Sequence, residues 1–106
     1  MLARIQVPTA VKRGQAFEVR VLIQHPMETG FRRDDGGAAV AKNVIHRLSC
    51  MVNGVEQFRV EMDSGIAANP YLQFFAVADR SGEMILEWQD ESGERGREAF
   101  MLVVDA

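Results

Sequence analysis

Cys50, His25 and His46 carry the most versatile side-chain chemistry in this chain. A thiolate attacks electrophiles or ligates soft metals, and imidazole moves protons or holds zinc, copper or iron. Together the three residues suggest a small metal-binding redox site. Spacing tests that idea. If His46 and Cys50 share a strand, four residues of extended chain separate them by roughly 13 Å, far beyond a common metal with ligand distances of about 2.0–2.3 Å. On a helix the two would be neighbours. Residues 38–48 carry apolar side chains at Val40, Val44, Ile45 and Leu48, a pattern that fits a short amphipathic helix as well as a strand. Cys50 lies between Leu48 and Val52 on an apolar face, where a thiol stays protonated and inert. Met27, Met51, Met62, Met84 and Met101 are scattered along the chain and read as core filler or adaptable contacts.

Enzymatic motifs are missing. The chain has no Gly-rich phosphate loop, no Gly-x-Ser-x-Gly elbow and no Cys-x-x-Cys pair. Two loops remain as candidate sites. His25-Pro26-Met27-Glu28-Thr29-Gly30 is compact. Pro26 extends His25, and Gly30 permits a reversal. The loop either ends a strand or presents His25, Met27 and Glu28 to a ligand. In Ala68-Asn69-Pro70-Tyr71, Asn-Pro starts a turn and Tyr71 opens the next strand.

The elements that must hold these loops are strands. From Phe17 to Gln24 the side chains alternate, with Phe17, Val19, Val21 and Ile23 on one face. Met84, Leu86 and Trp88 alternate in the same way from Glu83 to Asp90, and Phe100, Leu102 and Val104 share one side of the last strand. Turns at 12–14, 79–82 and 90–93 separate these runs, so the pattern predicts an all-β sandwich. Asn53-Gly54 predicts a hairpin. A strict two-residue turn would place Phe58 and Val60 on the polar face, so a three-residue loop with a bulge at Gly54 is expected. Residues 25–43 form a long connection, within which Asp35-Gly36-Gly37 is expected to turn a minor hairpin.

Size and charge bound the function. With 106 residues, 47% of them hydrophobic, the chain makes one domain with one core, from 1 to 106. Its formal net charge is −3, which argues against a dedicated nucleic-acid binder. No apolar run approaches the roughly 20 residues of a membrane helix. The charge is uneven, +4 over residues 1–50 and −7 over residues 51–106, as suits either solvated patches or a surface that orients a charged partner. A single cysteine forbids an intrachain disulfide. The N-terminus lacks an apolar export signal, so export of this chain would need a carrier. Tyr71–Ala78 and the last strand are apolar on both faces. In a two-layer sandwich, outward apolar side chains meet water unless a second molecule covers them.

The ordered set "IQHPMETG", "FRRDDGG", the "NG" hairpin, "ANPYLQF", "RSGEMILEWQDESG" and a final apolar strand spans nearly the whole chain. In that order and spacing it resembles the SoxZ family, although the segment "AAVAKNVI" is richer in alanine than the family's usual stretch. The resemblance implies an immunoglobulin-like antiparallel β-sandwich with residues 38–48 largely extended. It implies pairing with a SoxY-like subunit, whose cysteine on a glycine-rich C-terminal arm carries sulfur intermediates from thiosulfate oxidation. It also implies transient docking of Sox enzymes, co-export to the periplasm with the partner, and no catalytic residue or cofactor in this chain. The expected partner or docking residues are His25, Met27, Glu28, Asn69, Tyr71, Phe75, Phe100 and Leu102. Without its partner the chain is expected to self-associate through the same surface. The rival readings are the metal-binding redox domain of His25, His46 and Cys50, a carrier-like subunit of another oxidation pathway, and a self-sufficient β domain.

Overall fold

The computed structural model describes residues 1–105. Eight strands form two sheets: β1 (Ala3–Gln6), β2 (Ala10–Lys12), β3 (Ala16–Ile23), β4 (Ile45–Val52), β5 (Val55–Glu61), β6 (Tyr71–Val77), β7 (Gly82–Asp90) and β8 (Arg95–Asp105). One sheet has the order β1-β3-β6 and the other β2-β8-β7-β4-β5. This is the expected immunoglobulin-like β-sandwich. Its pairs are antiparallel except β2, which runs parallel to β8. The chain changes sheet between β1 and β2 at Val7-Pro8-Thr9, where proline has no ladder N–H to lose.

The alternation read from the sequence fills the interior. Phe17, Val19, Val21 and Ile23 from β3 meet Leu48, Cys50 and Val52 from β4 and Met84, Leu86 and Trp88 from β7, all buried. The molecule measures 60 × 19 × 19 Å. Two sheets about 10 Å apart, with one layer of outward side chains on each, account for one 19 Å dimension, and five strands spaced by about 4.8 Å account for the other. The interior is therefore a single apolar layer.

Residues 38–44 form no helix. They are extended, and β4 begins at Ile45. The long connection between β3 and β4 doubles back as a ribbon, bridged at Glu28↔Asn43 and Arg33↔Ala39. Its tip is the expected minor hairpin. Asp34 Oδ1 accepts from the N–H groups of Gly36 and Ala38, at 2.9 and 3.0 Å.

The bulge expected at Gly54 lies elsewhere. Val52 pairs directly with Val55, so Asn53 (φ 51°) and Gly54 (φ 80°) form a strict two-residue turn. The register slips by one residue further on, at Gln57, so that Cys50 faces Phe58 and Leu48 faces Val60. The slip brings the apolar side chains together as required. Its position follows from a contact with the other sheet. The Gln57 side-chain amide donates to Val77 O at 2.7 Å and its oxygen accepts from Val77 N–H at 2.9 Å. The amide thus satisfies the edge of β6 as a neighbouring strand would. Phe58 and Phe74 stack beside it with ring centroids 4.1 Å apart, closing that side of the sandwich.

Opposite Trp88 in the β7–β8 ladder stands Gly96. A Cβ there would lie 2.1 Å from Trp88 Cε2. The indole is rigid and buried, so it cannot yield cheaply. Gly96→Ala is expected to cost about 2–3 kcal/mol and to lower Tm by roughly 10 °C or more. Thermal unfolding followed by Trp88 fluorescence checks this, and an unchanged Tm would show that the ring repacks freely.

Candidate functional site

The loops at one end of the sandwich are held by a buried carboxylate, Asp90, which is 1% exposed. It follows Met84, Leu86 and Trp88 on the inward parity of β7, so the strand itself carries it into the interior. Its two oxygens collect four donors. Oδ1 accepts from Ser92 Oγ at 2.6 Å and Glu94 N–H at 3.0 Å. Oδ2 accepts from His25 Nε2 at 3.1 Å and Asn43 Nδ2 at 3.3 Å. Burial pushes this carboxyl upward, but the bonds from Ser92, His25, Glu94 and Asn43 outweigh it and hold the pKa at about 2.

His25 completes the network, and both its ring nitrogens are engaged. Met27 N–H donates to Nδ1 at 2.9 Å, so the ring proton sits on Nε2 and points to Asp90. The pair resembles a catalytic dyad in composition only. The ring is buried, and a backbone amide occupies the lone pair that a general base would use. Met27 is buried at positive φ (50°), and its sulfur accepts from Ile45 N–H at 3.3 Å. Asn69 Oδ1 accepts from His25 N–H at 3.1 Å, and Asn69 N–H donates to His25 O at 2.7 Å. His25, Met27 and Asn69 are thus brought together as the expected loop cluster. Their polar groups are spent on one another, and they fasten the loops at 24–30, 43–45, 69 and 90–94. Glu28 is half-buried and pairs with Arg32 Nη2 at 2.6 Å, which lowers its pKa.

The metal reading fails on geometry. His46 lies on β4, where the chain is extended and locally bulged, and it is exposed, whereas Cys50 is fully buried. Burial pushes the Cys50 thiol up to about 11, so it is held as a neutral thiol. Among the described residues no group of three or more His, Cys, Asp or Glu is placed to hold a metal ion.

The remaining expected residues divide between surface and core. Tyr71 and Phe75 are 55% and 62% exposed on the outer face of β1-β3-β6, beside Leu22 and Val77. Glu18, Arg20 and Gln73 are interleaved with them, so this face is mixed rather than wholly apolar. Two shallow depressions cross it and share Arg4 and Leu22; one reaches Asn69 and the other Tyr71. Phe100 and Leu102 require correction as surface residues. Leu102 is 1% exposed and Phe100 packs against the core. The outward parity of β8 belongs to Met101 and Val103. His25 and Met27 are likewise buried and cannot present their side chains to a partner. Sequence reasoning missed Asp90, Asn43 and Ser92. The inward parity of β7, continued one step past Trp88, is the signal that would have found Asp90.

Comparison with known proteins places this geometry. A sequence model of the family described as "Sulphur oxidation protein SoxZ" matches residues 5–100. No curated protein matches the chain. Among solved structures, superoxide reductase (neelaredoxin) from Ignicoccus hospitalis is similar at 22% identity and a TM-score of 0.73, covering 99% of this chain and 81% of that one. A single-substitution variant of that reductase aligns with a TM-score of 0.75 at 22% identity, covering 97% of this chain and 79% of that one. A putative superoxide reductase from Thermotoga maritima aligns at 15% identity with a TM-score of 0.73, covering 98% of this chain and 86% of that one. At these identities the likeness is one of fold.

The buried groups generate two predictions. A carboxylate held at about 2 instead of 3.8 stabilises the folded state above about pH 4, and this contribution fades as pH falls toward 2. It amounts to about 2 kcal/mol. Asp90→Asn is therefore expected to lose about 2–4 kcal/mol at neutral pH, and its deficit to narrow between about pH 4 and 2. Urea unfolding across that range measures the gap, and an undiminished gap at the acid end contradicts the assignment. Native Cys50 is expected to react with iodoacetamide at about pH 8 at least roughly 100-fold more slowly than the unfolded chain. Equal rates would place the thiol at the surface.

Proposed function

We propose, from the premise that this chain belongs to the SoxZ family of sulphur oxidation proteins, that it is the non-catalytic half of a heterodimeric sulfur carrier. The other half is a SoxY-like subunit, which contributes the cysteine that is loaded with sulfur from thiosulfate and presented to visiting Sox enzymes. The pair works in the periplasm, and this chain travels there with its partner.

The observation that carries the reading is the outer face of β1-β3-β6. Leu22, Tyr71, Phe75 and Val77 are each more than a third exposed there, on adjacent strands in register. A neighbouring patch of aromatic and aliphatic side chains, interleaved with polar groups, has the composition of a protein–protein contact. Two further observations fit a supporting subunit. The only cysteine is held as a neutral, buried thiol, and His25 has no free lone pair. The chain's own residues therefore present a surface and hold its loops rigid, while the nucleophile comes from the partner.

Phe75 is the direct test. Being exposed, it tolerates substitution without loss of fold. Phe75→Asp is expected to keep its unfolding transition while co-purification with the tagged SoxY-like subunit weakens by roughly 30-fold or more, since it removes an aromatic anchor and buries a charge. Unchanged folding with unchanged pairing would remove this face from the interface.

A further inference from the structure

On the outer face of the five-stranded sheet, register places three arginines around one cleft. Arg47 on β4 and Arg95 on β8 both pair with Gln89 on the intervening β7. Their Cα atoms are therefore about 10 Å apart across the sheet, within the combined reach of two arginine side chains. Arg97 is two residues beyond Arg95 on the same face, and Glu87 and Ser49 stand beside it in register. These side chains, with Trp88 and Gly96, line a depression of about 230 Å³.

The charge in this cleft is unbalanced. Among the described residues, Arg47 and Arg95 have no carboxylate within ion-pair distance. Arg97 Nε lies 3.8 Å from Glu87 Oε1, too far for a hydrogen bond, so its donors remain free. Three guanidinium groups against Glu87 in the cleft and Glu61, which stands across from Arg47 in register, leave a local excess of one positive charge in a chain whose overall charge is −3. Outside the cleft Arg20 pairs with Glu18, Arg32 with Glu28 and Arg59 with Glu56, while Arg4, Arg13 and Arg33 stand apart from one another without an ion pair among the described residues. The ligand suited to three converging guanidinium forks and the hydroxyl of Ser49 is a small anion with several equivalent oxygens.

We propose that the cleft formed by Arg47, Arg95 and Arg97 binds a tetrahedral sulfur oxyanion group, –SO3 or sulfate in type. Each guanidinium donates to separate oxygens, while Gln89 and Ser49 supply neutral hydrogen bonds. Such a group arrives either as a free anion or at the end of a chain, as in an S-sulfonated cysteine. The tethered source and the choice of sulfur over phosphorus rest on the carrier reading above, whereas an oxyanion site as such rests only on the geometry of this face.

Trp88 is the single tryptophan and stands on β7 between Glu87 and Gln89, its indole buried behind the cleft, so its fluorescence reports rearrangement on occupancy. Titration of the chain with sodium sulfate, sodium thiosulfate or S-sulfocysteine, against sodium chloride at matched ionic strength, is expected to give a saturable change with the sulfur anions alone. Backbone amide NMR shifts should cluster at residues 47, 89 and 95–97. Arg47→Gln and Arg95→Gln, neither of which breaks an ion pair, should each weaken binding by roughly tenfold. Glu87→Gln removes the opposing carboxylate and should tighten it by about threefold. S-sulfocysteine binding at least as tightly as thiosulfate identifies a tethered source, and weaker binding identifies a free one. A response that follows ionic strength alone, or an unchanged Kd in both arginine variants, overturns the site whether or not the chain pairs with a SoxY-like subunit.

Discussion

A two-layer sandwich has one interior, and this chain has more large apolar side chains than one interior accepts. The inner faces of β3, β4 and β7 fill the space between the sheets. What is left over stands outside: Leu22, Tyr71, Phe75 and Val77 on one sheet, Val55, Met101 and Val103 on the other, and Leu2, Phe31 and Ile66 outside the strands. The molecule is only 19 Å across, so no third layer of its own covers them. That geometric surplus is the constraint from which the functional reading grows. Membership of a sulfur-oxidation family and a surface suited to a second molecule point the same way.

The buried network at the loop end serves that surface. Asp90 anchors His25, Asn43, Ser92 and the backbone of Glu94, and His25 in turn holds Met27 and Asn69. Asn69 leads through Pro70 into Tyr71, and Ile23 N–H donates to Pro70 O at 3.0 Å. The start of β6 is thus positioned by groups buried behind it. A histidine and an aspartate that look catalytic on paper act here as a clamp, since every lone pair and proton they offer has a structural partner.

The β3 and β7 alternation was legible because one face of each strand is apolar, Asp90 aside, and the other mostly polar, Leu22 and Ile85 excepted, so burial follows parity. The last strand is apolar on both faces, and alternation alone separates two sets without saying which points inward. Pairing of Met101 with Glu83 and Phe100 with Met84 decides it, which is why Leu102 is core and Phe100 packs half-buried against it. The register slip was legible in the mismatch of Phe58 and Val60, but not its position, which depends on Gln57 reaching Val77 across sheets. Asp90 was hidden because an acidic residue before Glu-Ser-Gly reads as turn chemistry. The sequence supplied the family, and the coordinates supply the fold. The arginine cleft became visible only once register set Arg47 and Arg95 on either side of Gln89.

The proposed contact between two subunits has the outer face of β1-β3-β6 as one of its sides. Hydrogen–deuterium exchange, comparing the chain alone with the chain co-purified with its SoxY-like subunit, tests it most directly. Partner-dependent protection is expected to concentrate in residues 3–6, 20–24 and 71–77, with the five-stranded sheet nearly unchanged. Protection confined to 95–105, or none anywhere, would contradict it.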